Sequence, residues 1–173
     1  MTNEESQPPS SPDVSSRSTR VNAAAMDGSG RWRNPGWRVL ALAAAVGTAM
    51  GLIAIAIVLL HVSPPQGGRP DGVGVAGFVV FLILVVPLEE WLTRGVLLQR
   101  LIKPLGAVGA LLVSSAVFAF LHRWGFPAWV FRFVGGLVLG AFYLRTGSLW
   151  PSIVLHYMYN LSSYAVMYLL TPN

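Results

Sequence analysis

The stretch VGVAGFVVFLILVVPLEEWLTRGVLLQRL, residues 73–101, decides how the rest of the chain is read. From Val73 to Leu88 it carries no charge, and the apolar run then continues past Glu89, Glu90 and Arg94. About 20 predominantly apolar residues suffice for a helix to cross the hydrocarbon core of a bilayer. A stretch this apolar that also holds two acids and a base reads as a membrane helix with polar groups at depth. A charge at the bilayer centre costs at least about 2.5–3.5 kcal/mol on insertion scales, so such groups face a bundle interior and are functional candidates by default.

The composition of the whole chain agrees. Apolar residues make up 54% and charged residues 11% of 173, with 18 Gly and 12 Pro. A soluble domain carries about a quarter charged residues, so too little polar surface remains here to face water. Wholesale disorder is excluded by the frequency of aromatic and branched residues. There is no cysteine. That excludes a disulfide framework, a thiolate zinc site, a Cys nucleophile, and prenylation or S-palmitoylation of this chain. The expected fold is all-α: a polytopic membrane helix bundle of about five transmembrane helices behind a disordered N-terminal tail.

Residues 1–36 form that tail, rich in Ser, Pro and Asn and poor in large apolar residues. They are not a signal peptide, because Glu4 and Glu5 follow the start and the apolar stretch begins far too late. The first transmembrane helix occupies 37–62, with a charge-free run from about Val39 to Leu60. Gly47 and Gly51 within it form a small-xxx-small pair suited to close helix packing. A turn-rich connection (61–72) leads to a four-helix domain over 73–170. Its second span starts near Val73. The third runs from about Leu105 to His122 after Lys103–Pro104, the fourth from about Ala128 to Leu144, and the fifth from about Leu149 to Leu170. RWGFP (123–127) and RTGS (145–148) are the breaks. Gly136 and Gly140 repeat the small-xxx-small spacing.

The net charge of +5 does not mark a nucleic-acid surface. Arg17, Arg20, Arg31, Arg33 and Arg38 precede Val39, and most of the remaining basic residues flank apolar stretches. With the N-terminus cytoplasmic, these five, Arg100, Lys103 and Arg145 lie inside, against Arg69 and Arg123 outside. That is a positive-inside pattern. It predicts a multi-pass protein of the cell membrane, here read as a bacterial plasma membrane from its Ala, Gly and Arg richness.

The polar residues at depth are Glu89, Glu90, Arg94, His122, Arg132, His156 and Asn160. Neighbouring helix positions point about 100° apart, so Glu89 and Glu90 do different jobs. Glu90 and Arg94 stand at i,i+4 in the favourable order, which leaves Glu89 without a local partner. A lone carboxylate in low dielectric can take and return a proton. His156 and Asn160, also at i,i+4, project from one face. Singly, each has a plain structural reading: a Glu–Arg lock, an interfacial His122, a His156–Asn160 packing pair. Arg132 snorkels or pairs with Glu89 or Glu90. Together, two imidazoles, a free carboxylate and a carboxamide from three helices can activate a water and stabilise an oxyanion. They could instead hold zinc through two His and a Glu.

EEWLTR (89–94), FAFLH (118–122) and HYMYN (156–160) match EExxxR, FxxxH and HxxxN motifs. In this order, with the run 136–160, they resemble the CPBP family of intramembrane proteases, which includes CAAX prenyl proteases and bacteriocin-processing (Abi) proteins. The resemblance covers about residues 78–165. It implies peptide-bond hydrolysis within the bilayer. Carried over by motif position, Glu89 is the catalytic glutamate and His122 works with it on the water. His156 and Asn160 form the oxyanion site, and Glu90 and Arg94 support it.

The expected function is thus an intramembrane endopeptidase acting on a membrane-embedded protein or peptide, or on a lipidated, CAAX-like one. The expected partners are that substrate and the lipid bilayer, with no nucleic acid; oligomeric state is open. No cofactor is required; a divalent metal such as zinc, if bound, would sit on Glu89, His122 and His156. The alternatives are a non-catalytic scaffold or immunity-type protein of the same fold, and a small transporter. One geometric tension stands out. Measured from Lys103–Pro104 along straight helices, His122 lies about 27 Å and Glu89 about 21 Å away. Tilt, a late start to the third helix or a broken second helix would close that gap.

Overall fold

The computed structural model describes residues 35–61, 72–122 and 128–170, and these are almost entirely helical. The expected disordered tail, except its last two residues, and the breaks at 62–71 and 123–127 lie outside the described residues. Helix α1 spans Gly36–His61. Helix α2 (Gly72–Val80) passes through a wide π-helical turn, π1 (Phe81–Val85), into α3 (Val86–Glu90). A second π-helical stretch, π2 (Trp91–Leu98), leads into α4 (Gln99–Leu121). Helices α5 (Ala128–Thr146) and α6 (Leu149–Leu170) complete the bundle. Gly147, left-handed at φ 64°, ends α5 by donating its N–H to the Tyr143 carbonyl at 2.7 Å.

The break between the second and third predicted spans is a single residue. Gly106 has φ 69° and ψ 171°, a conformation that is essentially glycine-only. It folds the long apolar stretch into two arms. Glu89 lies seventeen residues before Gly106 and His122 sixteen after. At 1.5 Å per residue both stand about 24–26 Å from the fold. The mismatch expected from Lys103–Pro104 therefore disappears, because the third helix starts late.

Glycines also set how closely the helices meet. A Cβ on Gly47 would collide with the Leu155 backbone, and one on Gly51 with Ser162 Oγ and the Tyr159 carbonyl. Helix α1 thus lies against α6 beside His156. Gly136 and Gly140 likewise admit Ser115 and Leu111 of α4. Two buried clusters fill the interior. Ala43, Phe118, Leu139 and Leu155 form one, and Leu98, Ile102, Ala110 and Tyr143 the other.

The outside of the bundle is apolar. Ile83, Leu84, Val108, Phe120 and Leu121 are all more than half exposed. Water would not tolerate such a belt, whereas acyl chains would. Two stretches, Gly36–Ile57 and the 48-residue Gly74–Leu121, are long and apolar enough to cross a membrane. Helices lie where five spans were expected, but α5 and α6 do not meet that criterion. They carry Arg132 and Arg145, and His156 and Asn160, which lower their hydropathy.

Two substitutions test this packing by thermal unfolding in detergent. Gly47→Val should destabilise by about 1–3 kcal/mol, because its neighbour is backbone and cannot swing away. Gly106→Ala should cost a similar amount, about 1–3 kcal/mol, although nothing lies within 4 Å, because its backbone conformation is denied to alanine. Gly77→Ala, which has equally open surroundings and ordinary helical φ, should leave the midpoint unchanged or slightly raised.

Candidate active site

The site grows from one buried carboxylate. Glu90, at the end of α3, is fully buried. Its Oε1 accepts a hydrogen bond from Arg94 Nη1 at 3.0 Å and another from His156 Nδ1 of α6 at 2.8 Å. The predicted Glu90–Arg94 pair is therefore present. Its link to His156 could not be read from sequence, because 66 residues separate the two groups. Arg94 is almost completely buried and spreads its donors widely. Nη1 also reaches Thr93 Oγ1 at 2.7 Å, and Nη2 donates to the Gly136 carbonyl of α5 at 3.2 Å. The face of the guanidinium lies 4.5 Å from the Phe118 ring of α4.

Glu89 faces a different way, as the 100° offset requires. It makes no side-chain hydrogen bond within this cluster, and its Oε2 is buried without a hydrogen bond. Instead it looks at two imidazoles. His122 Nε2 lies 3.9 Å from Oε1, and His156 Nε2 lies 3.9 Å from Oε2. Both separations are too long for direct hydrogen bonds.

His122 terminates α4 in an extended conformation, φ −93° and ψ 100°. Its Nδ1 lies 2.8 Å from the Phe118 carbonyl. A carbonyl only accepts, so Nδ1 carries the proton and caps an otherwise orphan helix-end oxygen. In its neutral form the ring presents a lone pair on Nε2 to Glu89. The Phe118 ring holds both imidazoles, His122 tilted at 4.8 Å and His156 edge-on at 5.7 Å. This spacer role extends what the sequence showed, which was only that Phe118 and His122 share a helix face.

Glu89, His122, His156 and Asn160 all line one cavity of about 320 Å³. The structure thus brings together all four residues expected at the site, with Glu90 and Arg94 behind them. Asn160 Nδ2 is buried and has no hydrogen-bond partner among the described residues. Met50, Phe81, Arg132 and Tyr159 also line the cavity. Sequence reading gave no signal for Met50 or Phe81, ordinary apolar residues on helices reached only through tertiary packing. Two imidazole nitrogens and a carboxylate are zinc-type donors. Among the described residues, however, no three His, Asp or Glu side chains are grouped so as to hold an ion.

The buried cluster should be felt in stability. Arg94→Ala leaves Glu90 with an unbalanced buried charge and should cost about 3–5 kcal/mol, measured by unfolding in detergent. Glu89→Gln, at a residue outside that cluster, should leave the midpoint close to native.

The model of the type II CAAX prenyl endopeptidase Rce1-like family matches residues 70–162, more than half of the chain, and spans all three motifs. No match was found among curated proteins or among solved structures. The family match and the resemblance carried by EExxxR, FxxxH and HxxxN agree, and the apolar belt around the bundle fits a membrane endopeptidase. The chain belongs to the Rce1-like family of type II CAAX prenyl endopeptidases.

Proposed function

We propose that the chain is a multi-pass intramembrane endopeptidase that hydrolyses a peptide bond in a membrane-embedded or lipidated protein by glutamate- and histidine-activated water. The observation that carries this reading is the pair of facing acceptors at the cavity wall. His122 Nε2 offers a lone pair and Glu89 Oε1 a carboxylate oxygen, 3.9 Å apart. A single water can donate one hydrogen to each. Its own lone pair then points into the cavity, toward a scissile carbonyl carbon. As the water attacks, Glu89 takes its proton, and Glu89 or His122 returns one to the leaving amine.

The charge that develops on the carbonyl oxygen falls to Asn160 and His156. Asn160 Nδ2 is a buried donor without a protein partner, and a substrate oxygen would satisfy it. To donate from Nε2 while Nδ1–H is held by Glu90, His156 must carry both protons. The Glu90 carboxylate, bound to Arg94 and His156 through one oxygen, stands beside that charge. Glu89, Glu90, Arg94 and His156 then sum to zero net charge, which suits a site in low dielectric. No step here is routed through a metal ion.

The same reading takes α1, the two arms joined at Gly106, α5 and α6 as five crossings with a cytoplasmic N-terminus. The domain limits follow it, with a tail to residue 36, one anchoring helix, and the catalytic unit over 73–170.

Comparing all protein termini in membranes from cells making the native chain and Glu89→Gln tests the chemistry. The variant should abolish a defined set of cleavages, a loss of at least about 100-fold from the general-base role alone. Full retention would leave a non-catalytic scaffold as the better reading. Asn160→Ala should lower the same cleavages by about 100- to 1,000-fold. Exhaustive chelation of the purified native protein should leave them intact.

A further inference from the structure

Thr93 is buried in the bundle, and the hydrolytic machinery described above gives its hydroxyl no task. That hydroxyl donates to the Glu89 carbonyl oxygen one turn earlier, and its oxygen accepts from Arg94 Nη1 at 2.7 Å. The directions are unambiguous, because a carbonyl only accepts and a guanidinium only donates. The same Nη1 donates to Glu90 Oε1 at 3.0 Å, and that oxygen is the one His156 Nδ1 meets at 2.8 Å. These bonds form an unbroken line from the main chain of Glu89, through Thr93, Arg94 and Glu90, to the imidazole of His156. The line starts at the Glu89 backbone, which leaves the carboxylate to face the cavity.

A threonine in an apolar helix can bond the carbonyl four residues back simply to satisfy its own hydroxyl. Thr48 makes such a bond to the Ala44 carbonyl at 3.0 Å. Thr93 does more, for two reasons. A buried guanidinium donates to its oxygen, which polarises the O–H and strengthens its bond to Glu89. It also sits at the entry to π2, where the helix widens from four-residue to five-residue spacing. A side-chain bond at that junction ties the last turn of α3, which carries Glu89, to the wide stretch that carries Arg94.

We propose that Thr93 is a positioning residue that holds Glu89, the general base, in register with His156 at the oxyanion site. This rests on the peptidase reading above and extends it to a position that EExxxR leaves open. Glu89 must keep one carboxylate oxygen near His122 Nε2 and the other near His156 Nε2, both at 3.9 Å. A small rotation of the α3 backbone would lengthen one of these separations as it shortened the other. Displacements of about 1 Å in such a constellation can cost about 100-fold in rate. The Thr93 hydroxyl opposes that rotation by binding the Glu89 backbone to the ion-pair cluster in which His156 is already held.

The relay is tested first without any substrate, by nuclear magnetic resonance on the native chain in nanodiscs. With 13C at glutamate backbone carbonyls and 15N at glutamate backbone nitrogens, only consecutive glutamates give a correlated signal. The chain has two such pairs, Glu4–Glu5 and Glu89–Glu90, and Glu4→Gln removes the first. Thr93→Val keeps the branched shape and deletes the hydroxyl. It should shift the Glu89 carbonyl carbon and also the His156 Nδ1 nitrogen, which Thr93 does not touch. Thr93→Ala gives the same reading if the valine perturbs packing. Thr93→Ser should leave both signals near native, and Thr48→Val should move neither. The relay is wrong if the Glu89 carbonyl or the His156 nitrogen stays in place when the hydroxyl is removed.

The catalytic half is read on a peptide spanning a bond whose cleavage Glu89→Gln abolishes. Thr93→Val should lower kcat by about 10- to 100-fold, with KM within about threefold of native. Thr93→Ser should recover most of kcat, and Thr48→Val should lose none. Native kcat in Thr93→Val overturns the positioning role. So does a loss that serine fails to rescue and that follows a fall in Tm, which is the behaviour of a merely structural threonine. A native chain that cleaves nothing overturns the peptidase reading and this half with it, while the spectra still decide the relay.

Discussion

Everything at the centre of this molecule hangs on the Glu90 carboxylate. In a bilayer, no water is available to rescue a misplaced charge, so a buried ion is tolerated only with partners. Glu90 has two on a single oxygen, one from its own helix and one from α6. Arg94 then extends the connection to the Gly136 carbonyl of α5 and the Phe118 ring of α4. One ion-pair cluster thus ties together four helical segments that lipid would otherwise have no reason to bring into contact. Helix association in membranes lacks the hydrophobic drive available in water, and close packing plus polar contacts must supply it. Here the glycine contacts of α1 and α5 supply the first and Glu90 the second.

The division of labour between adjacent acids follows from helix geometry. Glu90 points inward and is spent on structure. Glu89, about 100° around, reaches the cavity and makes no side-chain hydrogen bond to that cluster. The two histidines are oriented in the same spirit. Each has its Nδ1 engaged, by a backbone carbonyl for His122 and by Glu90 for His156, and each turns Nε2 toward Glu89. Such engagement fixes a ring before any substrate arrives, which is what preorganised electrostatic catalysis needs.

Much of this was legible in the chain, for identifiable reasons. The i,i+4 spacing of Glu90 and Arg94 is a local rule, so their pairing could be read directly. The helices also begin and end close to where apolar runs and turn residues placed them. Long-range facts were not legible in the same way. Nothing in the sequence told that His156 would reach Glu90, because that contact depends on how α6 packs. Lys103–Pro104 looked like the natural break, since proline is the stronger punctuation. The backbone turns instead at Gly106, whose positive φ only glycine adopts readily. The participation of α1 in the cavity wall, through Met50, was equally invisible, as the family match begins beyond it.

That turn has a bearing on how the protein can change over time. Glu89 and His122 hang from two arms of nearly equal length that share one pivot. Inserting one residue in either arm would slide its group by about 1.5 Å and swing it about 100° around the helix. No side-chain adjustment absorbs both displacements. Length changes between positions 89 and 122 are therefore tolerated only as compensating pairs, one in each arm, or as a further wide turn of the kind already present at Trp91–Leu98.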